Sequence, residues 1–235
     1  MAVPTFFHAH LTAADSVVEL ERDEASHAIK SRRLKAGQRI NLINGRGLKA
    51  GCTIAEHDRH RMSVRIEQIE KLSLPSRQLT IACAIPKGDR QRTLIDILTQ
   101  NGISRFIPLE CEHTVIHFKD NFIEKWQRVA REACKQSQNC WLPEFQSARS
   151  IPQILQWLSQ QTNTQGLYAD GRGQKMSALA EKSDHLTVLV GPEGGFSAAE
   201  LESFEQAELK AVRLADCILR TEAAAINAAA QFFAL

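Results

Sequence analysis

No stretch of this 235-residue sequence is apolar for long enough to cross a bilayer. The first residues lack the basic-then-apolar pattern of a secretory signal, so the cytoplasm is the expected compartment and no membrane is expected as a partner. Neither sign of charge is in excess: the formal net charge is only +2. None of the six cysteines, Cys52, Cys83, Cys111, Cys134, Cys140 and Cys217, belongs to a C-x-x-C pair, and their spacing suggests no disulfide framework. Cys111, His113 and His117 lie close in sequence, as do His57 and His60. Two or three loose ligands in a stretch that reads as extended make a weak metal site, and no metal is expected. There is no internal repeat, and the alanine-rich end is the one biased segment.

The small net charge is unevenly spread. Residues 1–72 hold 12 Lys+Arg against 9 Asp+Glu, and the rest 17 against 18. A slightly basic front suits a module that touches a polyanion. Within it, His27 to Lys35 concentrates Lys30, Arg32, Arg33 and Lys35. That run is either a solvated face or a phosphate-contacting edge. The same region reads as mostly β. Arg39–Ile43 is a strand pattern broken by Asn44-Gly45 and Gly47, and Met62, Val64 and Ile66 alternate with polar residues. Short strands with glycine turns predict a small barrel over 1–72.

Residues 71–77, with Pro75, read as a linker. From Gln78 the pattern changes to alternating strands and helices, which predicts a mostly parallel sheet covered by helices over 73–235. Leu79 to Ile85 is a buried strand, followed by a turn at Pro86-Lys87-Gly88. Asp89 is a candidate cap for the next helix, and Asn101-Gly102 its end. Phe122, Trp126, Val129 and Ala133 form one helical stripe, and Ser150 is placed to cap another helix. Residues 166–169, including Tyr168, read as a strand, and Asp170-Gly171-Arg172-Gly173 as a loop. Ala211 to Leu214 reads as a short last strand, and the final helix starts at Thr221 or one residue earlier.

Two late segments carry the chemistry. The apolar run Leu186–Val190 leads into Gly191-Pro192-Glu193-Gly194-Gly195-Phe196-Ser197, and Ser197 with Glu200 forms a capping-box pattern. The glycines allow a tight turn and bring backbone close to a ligand; equally, the run is a plain strand-to-helix turn. It is neither G-x-G-x-x-G nor a P-loop. Glu193 puts an acid where a phosphate would otherwise sit, which favours a neutral or cationic ligand.

Together with Ile218-Leu219-Arg220-Thr221-Glu222, in this order and spacing, the glycine loop resembles the RsmE family. These are bacterial methyltransferases that use S-adenosylmethionine to modify N3 of a uridine in 16S ribosomal RNA, and they belong to the SPOUT class. The resemblance covers the whole chain, with further matches at His27–Gly37 and Pro86–Arg90. It implies a PUA-like RNA-holding barrel at 1–72, and an α/β domain at 73–235 whose end threads a trefoil knot. Periodicity alone would have given an unknotted sheet. The resemblance also implies a homodimer acting on 16S RNA or the small ribosomal subunit.

On that basis the donor site is expected at Tyr168, Val190, Gly191, Pro192, Glu193, Gly194, Leu214, Cys217, Ile218 and Leu219. Catalysis is expected at Arg220 and Glu222, and RNA contact at Lys30, Arg32, Arg33, Lys35, Lys87 and Arg90. Glu222 or Glu193 would accept the N3 proton or fix Arg220. The chain departs from the family pattern at several positions. Gln100-Asn101-Gly102 replaces Glu-Leu-Gly, and Ile97 stands for a lysine. His113, Asn139 and Cys217 stand for arginines, and Ala215 and Ala223 for glycine and threonine. Absent guanidinium groups weaken RNA binding, which leaves a catalytically weak or retargeted RNA-binding paralogue as the alternative.

Overall fold

Alternating apolar and polar side chains give the front of the chain its strands. The computed structural model describes residues 3–58, 60–180 and 184–235. Here β1 (Thr5–Phe7), β2 (Val17–Glu19), β3 (Arg39–Ile43), β4 (Leu48–His57) and β5 (Met62–Lys71) form one sheet in the order β1-β3-β4-β5-β2. All its pairings are antiparallel except β1 with β3. Met62 and Val64 point inward and Ser63 and Arg65 do not, as the period of two requires. β1 and β2 are the edge strands, and among the described residues no strand pairing joins them. The short α1 (Arg22–Ser26) and a π-helical turn (His27–Ser31) contribute Ala25 and Ala28 to its core beside Phe6, Leu42 and Ile54. The turn at Asn44–Gly47 is held by the Asn44 side chain, whose Oδ1 accepts from Arg46 N–H (2.8 Å) and Leu48 N–H (3.0 Å).

The second region is an α/β succession: β6 (Gln78–Ala84), α2 (Arg90–Asn101), β7 (Arg105–Glu110), α3 (Asn121–Ser137), β8 (Glu144–Phe145), β9 (Arg149–Ser150), α4 (Ile151–Ser159), β10 (Thr164–Lys175), α5 (Met176–Ala180), β11 (His185–Val190), α6 (Ala198–Gln206), β12 (Lys210–Arg213) and α7 (Thr221–Ala234). The strands are parallel, in the order β12-β10-β11-β6-β7-β8, with β9 also on β7. β6 and β11 are buried almost end to end because they lie at the centre of the sheet. Left-handed Gly102 (φ 86°) closes α2. A bond from Ser150 N–H to Gln153 Oε1 (2.9 Å) opens α4. At Ser197 the capping box forms as read: Ser197 N–H donates to Glu200 Oε2 (2.8 Å) and Glu200 N–H to Ser197 Oγ (3.3 Å).

Three readings need correction. Asp89 precedes α2, but its side chain makes no cap bond, because its own backbone is already helical (φ −66°, ψ −12°). Residues 170–173 are not a loop between strands; they lie within β10, where the pairing to β12 slips between Ala169 and Gln174. Gly173 is required there, since a Cβ would meet the Ala211 carbonyl at 2.4 Å. Finally, residues 131–142 fall outside the 73–235 unit in which the sequence division places them. One compact unit takes the chain up to Leu74 plus Arg131–Leu142, the other Pro75–Ala130 plus Pro143–Leu235. Cys134 and Cys140 pack with Phe7 and Ile43, and Lys135 Nζ reaches Glu24 Oε1 at 2.7 Å with both side chains nearly buried. A helix stripe does not reveal which of two cores it serves.

Candidate active site

The parallel strands of the second unit end on one edge, and the chemistry gathers there. Three segments supply it: the bulge within β10 (Asp170–Gly173), the glycine loop after β11, and the segment from β12 into α7. A cavity of about 480 Å³ lies between Val190–Glu193, Asp170–Arg172 and Ile218–Thr221. A second, of about 280 Å³, is lined by Val212–Leu219 and shares Ala169, Asp170, Gly171, Ile218, Leu219 and Ala224 with the first. The two late segments are tied directly, by a bond from Thr221 Oγ1–H to the Gly191 carbonyl (3.2 Å).

Of the residues read as donor-binding, Val190, Gly191, Pro192 and Glu193 line the larger cavity, Leu214 and Cys217 the smaller, and Ile218 and Leu219 both. Ile218 is fully exposed, an apolar side chain at the lip of both cavities. Two others stand behind the wall. Tyr168 is buried against Phe204 (ring centroids 5.0 Å apart), and burial, with Asp170 and Glu205 nearby, pushes its phenol pKa up. Gly194 passes the His113 ring, where a Cβ would come within 3.0 Å. His113 Nδ1 lies 3.2 Å from the Gly195 carbonyl, so this histidine braces the glycine loop. His117 is spent on Glu110 (2.7 Å), and among the described residues no three His, Cys, Asp or Glu side chains converge as metal ligands would.

Sequence reading missed Asp170 and Arg172. Arg172 clasps the Asp170 carboxylate with two bonds (3.0 and 2.8 Å), and its own N–H donates to Asp170 Oδ1 (2.8 Å). That grip holds the Asp170 pKa below the usual carboxylate range, against the opposing effect of burial. The Asp-Gly-Arg-Gly run was visible as a turn; its strand partner was not.

The residues read as catalytic separate. Arg220 precedes α7, is exposed, and has no side-chain partner among the described residues; its carbonyl accepts from Ala224 N–H (2.8 Å). Glu222 does not pair with Arg220. It is nearly buried, with Oε1 3.8 Å from Arg90 Nε and Oε2 without a hydrogen-bond partner. Arg90 also reaches Glu193, at 3.5 Å. The cation read as an RNA contact thus spans the carboxylates of both late segments. Below them, burial first, then Cys111, Glu222 and Glu193, raise the Cys83 thiol pKa well above its usual range. Lys87, three residues before Arg90, is exposed. In the front unit, Lys30, Arg32, Arg33 and Lys35 are all exposed, and none has a side-chain bond or ion pair among the described residues.

Known proteins share this fold. Residues 73–232 match the family model for an RNA methyltransferase domain, and residues 20–67 the model for an RNA methyltransferase PUA domain. Ribosomal RNA small subunit methyltransferase E of Rickettsia conorii is 32% identical, with 93% of this chain and 90% of that protein aligned. The chain belongs to the ribosomal RNA small subunit methyltransferase E family. The same-named protein of Neisseria gonorrhoeae, solved bound to S-adenosyl methionine, has the same fold at 22% identity, with a TM-score of 0.88 over 98% of this chain and 96% of that one. A probable rRNA-methyltransferase from Porphyromonas gingivalis aligns at 27% identity, with a TM-score of 0.86 over 99% and 98% of the two chains. Family membership extends over both units, and the α/β class with a preceding PUA-like domain agrees with the sequence reading.

Proposed function

We propose that this chain transfers the methyl group of S-adenosylmethionine to N3 of a uridine in 16S ribosomal RNA of the small subunit. The observation that carries the reading is the joint cavity bounded by both late segments, which the Thr221–Gly191 bond ties together. Its walls suit that donor: apolar Val190, Ile218 and Leu219 for an adenine face, backbone groups of two strand ends for its edges, and the carboxylates of Glu193 and Asp170 for a cation. Bound there, S-adenosylmethionine supplies an electrophilic methyl carbon on a sulfonium.

The chain must then do three things. It holds the uridine N3 in line with the methyl carbon, so that the N–C bond forms as the C–S bond breaks. It accepts the proton lost from N3, for which Glu222, with its free buried oxygen, and Glu193 are the candidates. It also stabilises charge growing on the flanking carbonyl oxygens, a task for the unpaired Arg220 guanidinium. Lys87 and the free cations of the front unit, Lys30, Arg32, Arg33 and Lys35, would neutralise RNA phosphates.

The proposal extends to a cytoplasmic homodimer and to a knotted chain end. Supporting the knot, the chain runs from edge strand β12 to α7, which packs on α2, β6 and β11 at the sheet centre.

The test is methyl transfer from tritiated S-adenosylmethionine to small subunits from a strain lacking the modification, with the base mapped by mass spectrometry. Label at uridine N3 is the expected result. No transfer to any small-subunit preparation would count against the reading, and label on another base would retarget it.

A further inference from the structure

Arg90 opens α2, Glu193 stands in the glycine loop and Glu222 is in the first turn of α7. These three segments are distant in sequence, and one guanidinium bridges them, at 3.5 Å to Glu193 and 3.8 Å to Glu222. We infer that Arg90 is a positioning residue: it holds the Glu193 carboxylate and the α7 start in the arrangement that receives the cationic donor. The inference rests on the methyl-donor reading of the cavity.

Three observations converge on it. Glu222 is nearly buried, and its Oε2 has no hydrogen-bond partner among the described residues, so a carboxylate there needs a compensating cation. Arg90 is the one cation paired with it among the described residues. Glu193 is two-fifths exposed, stands between Pro192 and Gly194, and among the described residues has Arg90 as its ion-pair partner, so Arg90 bears on where its charge points. The combined charge of the three groups is −1, which leaves one net negative charge at a cavity proposed to take a sulfonium. Without Arg90 two carboxylates would face each other, and Glu193 would turn toward solvent to separate them. A planar fork is suited to holding two carboxylates at once, where a lysine offers a point charge.

Such a role differs from a phosphate contact, because its effect runs through donor affinity. The experiment compares wild type, Arg90→Lys, Arg90→Gln, Glu193→Gln and the Arg90→Gln/Glu193→Gln pair, with thermal unfolding as a folding check. S-adenosylmethionine affinity is read by calorimetry, and affinity for a 16S RNA fragment by titration across salt. The expected results are a donor affinity about tenfold weaker in Arg90→Gln, partial rescue in Arg90→Lys, and a double variant no worse than Arg90→Gln alone. RNA affinity and its salt slope should stay at wild-type values.

Intact donor affinity with a shallower RNA salt slope would make Arg90 a phosphate contact and overturn the inference. Losses that simply multiply in the double variant would also overturn it. If Arg90→Gln does not fold, Arg90→Lys and Glu193→Gln carry the same comparison. Failure of the functional reading shows separately, as wild-type protein that ignores the donor or leaves RNA unmethylated. Even then, amide exchange tests the bridge: residues 191–196 should exchange faster in Arg90→Lys than in wild type, and equal rates would overturn the assignment.

Discussion

Two groups of cations, one in each unit, are used in opposite ways. In the front unit Lys30, Arg32, Arg33 and Lys35 stand exposed, and no side chain among the described residues holds them. At the cavity of the second unit, Arg90 and Arg172 are each committed to carboxylates: Arg90 to Glu193 and Glu222, Arg172 to Asp170. Free cations trade their counterions for phosphates and confer affinity that salt erodes. Committed cations spend their charge on geometry and on the state of their partners. The same residue types therefore predict different phenotypes, and the comparison can be broken at several points.

The largest effect is expected at Gly173, where the β10 bulge passes the β12 backbone. Gly173→Ala forces a Cβ to within 2.4 Å of the Ala211 carbonyl, so the strand pairing that shapes the cavity must shift. Overpacking of this kind costs on the order of 3 kcal/mol. Thermal unfolding should show the loss, and donor binding should go with it. An unchanged melting temperature would mean that the bulge does not shape the site.

Arg220→Ala comes next. It should lower kcat for methyl transfer by roughly a hundredfold, as loss of one stabilising donor does elsewhere, with S-adenosylmethionine affinity kept. Loss of donor affinity instead would place Arg220 among the committed cations. In the front unit, Arg32→Ala with Arg33→Ala should weaken RNA binding and make its salt slope shallower by roughly 0.7–0.9 for each phosphate no longer neutralised. Donor affinity should not move. A fall in donor affinity would erase the distinction between the two regions.

A pH profile sharpens the same contrast. Arg172 holds the Asp170 pKa below its unfolded value, so the stability this carboxylate contributes is present above the unfolded pKa. It is lost as pH falls through the depressed folded value. Wild type should therefore lose stability on acidification more steeply than Asp170→Asn, as read by melting temperature from neutral pH downward. Arg33→Ala should trace the wild-type curve.

The smallest effect concerns thiols. Burial raises the pKa of Cys111 and Cys134 to about 12, and that of Cys83 well above its usual range, while Cys217 is exposed at the cavity wall. Iodoacetamide at about pH 8 should label Cys217 first, S-adenosylmethionine should slow that labelling, and Cys217→Ser should change transfer by less than about twofold.

Much of this was legible from residues alone, for identifiable reasons. The capping box at Ser197, the stop at Gly102 and the start of α7 depend on neighbours within a few positions, and each formed where local chemistry demanded. The family resemblance implied that the glycine loop and the segment 218–222 share a site, and they meet at the Thr221–Gly191 bond. What stayed hidden depends on partners distant in the chain. Asp170 and Arg172 reach the cavity because β10 resumes its pairing with β12 after a bulge. Arg90 was expected to contact RNA on the resemblance at Pro86–Arg90, and the carboxylates it reaches, Glu193 and Glu222, come from segments far along the chain. The helix α3 runs without a break from one compact unit into the other, between Ala130 and Arg131, and so changes the core it serves.

The central claim is that the cavity joining the two late segments is a methyl-donor site. Calorimetric titration of the purified chain with S-adenosylmethionine tests it most directly. The account predicts saturable binding that Gly191→Val abolishes, because a side chain there crowds the Phe196 ring at 3.3 Å, and that Arg33→Ala leaves intact. A wild-type chain with no affinity for the donor, or a Gly191→Val chain that binds as well as wild type, would contradict it.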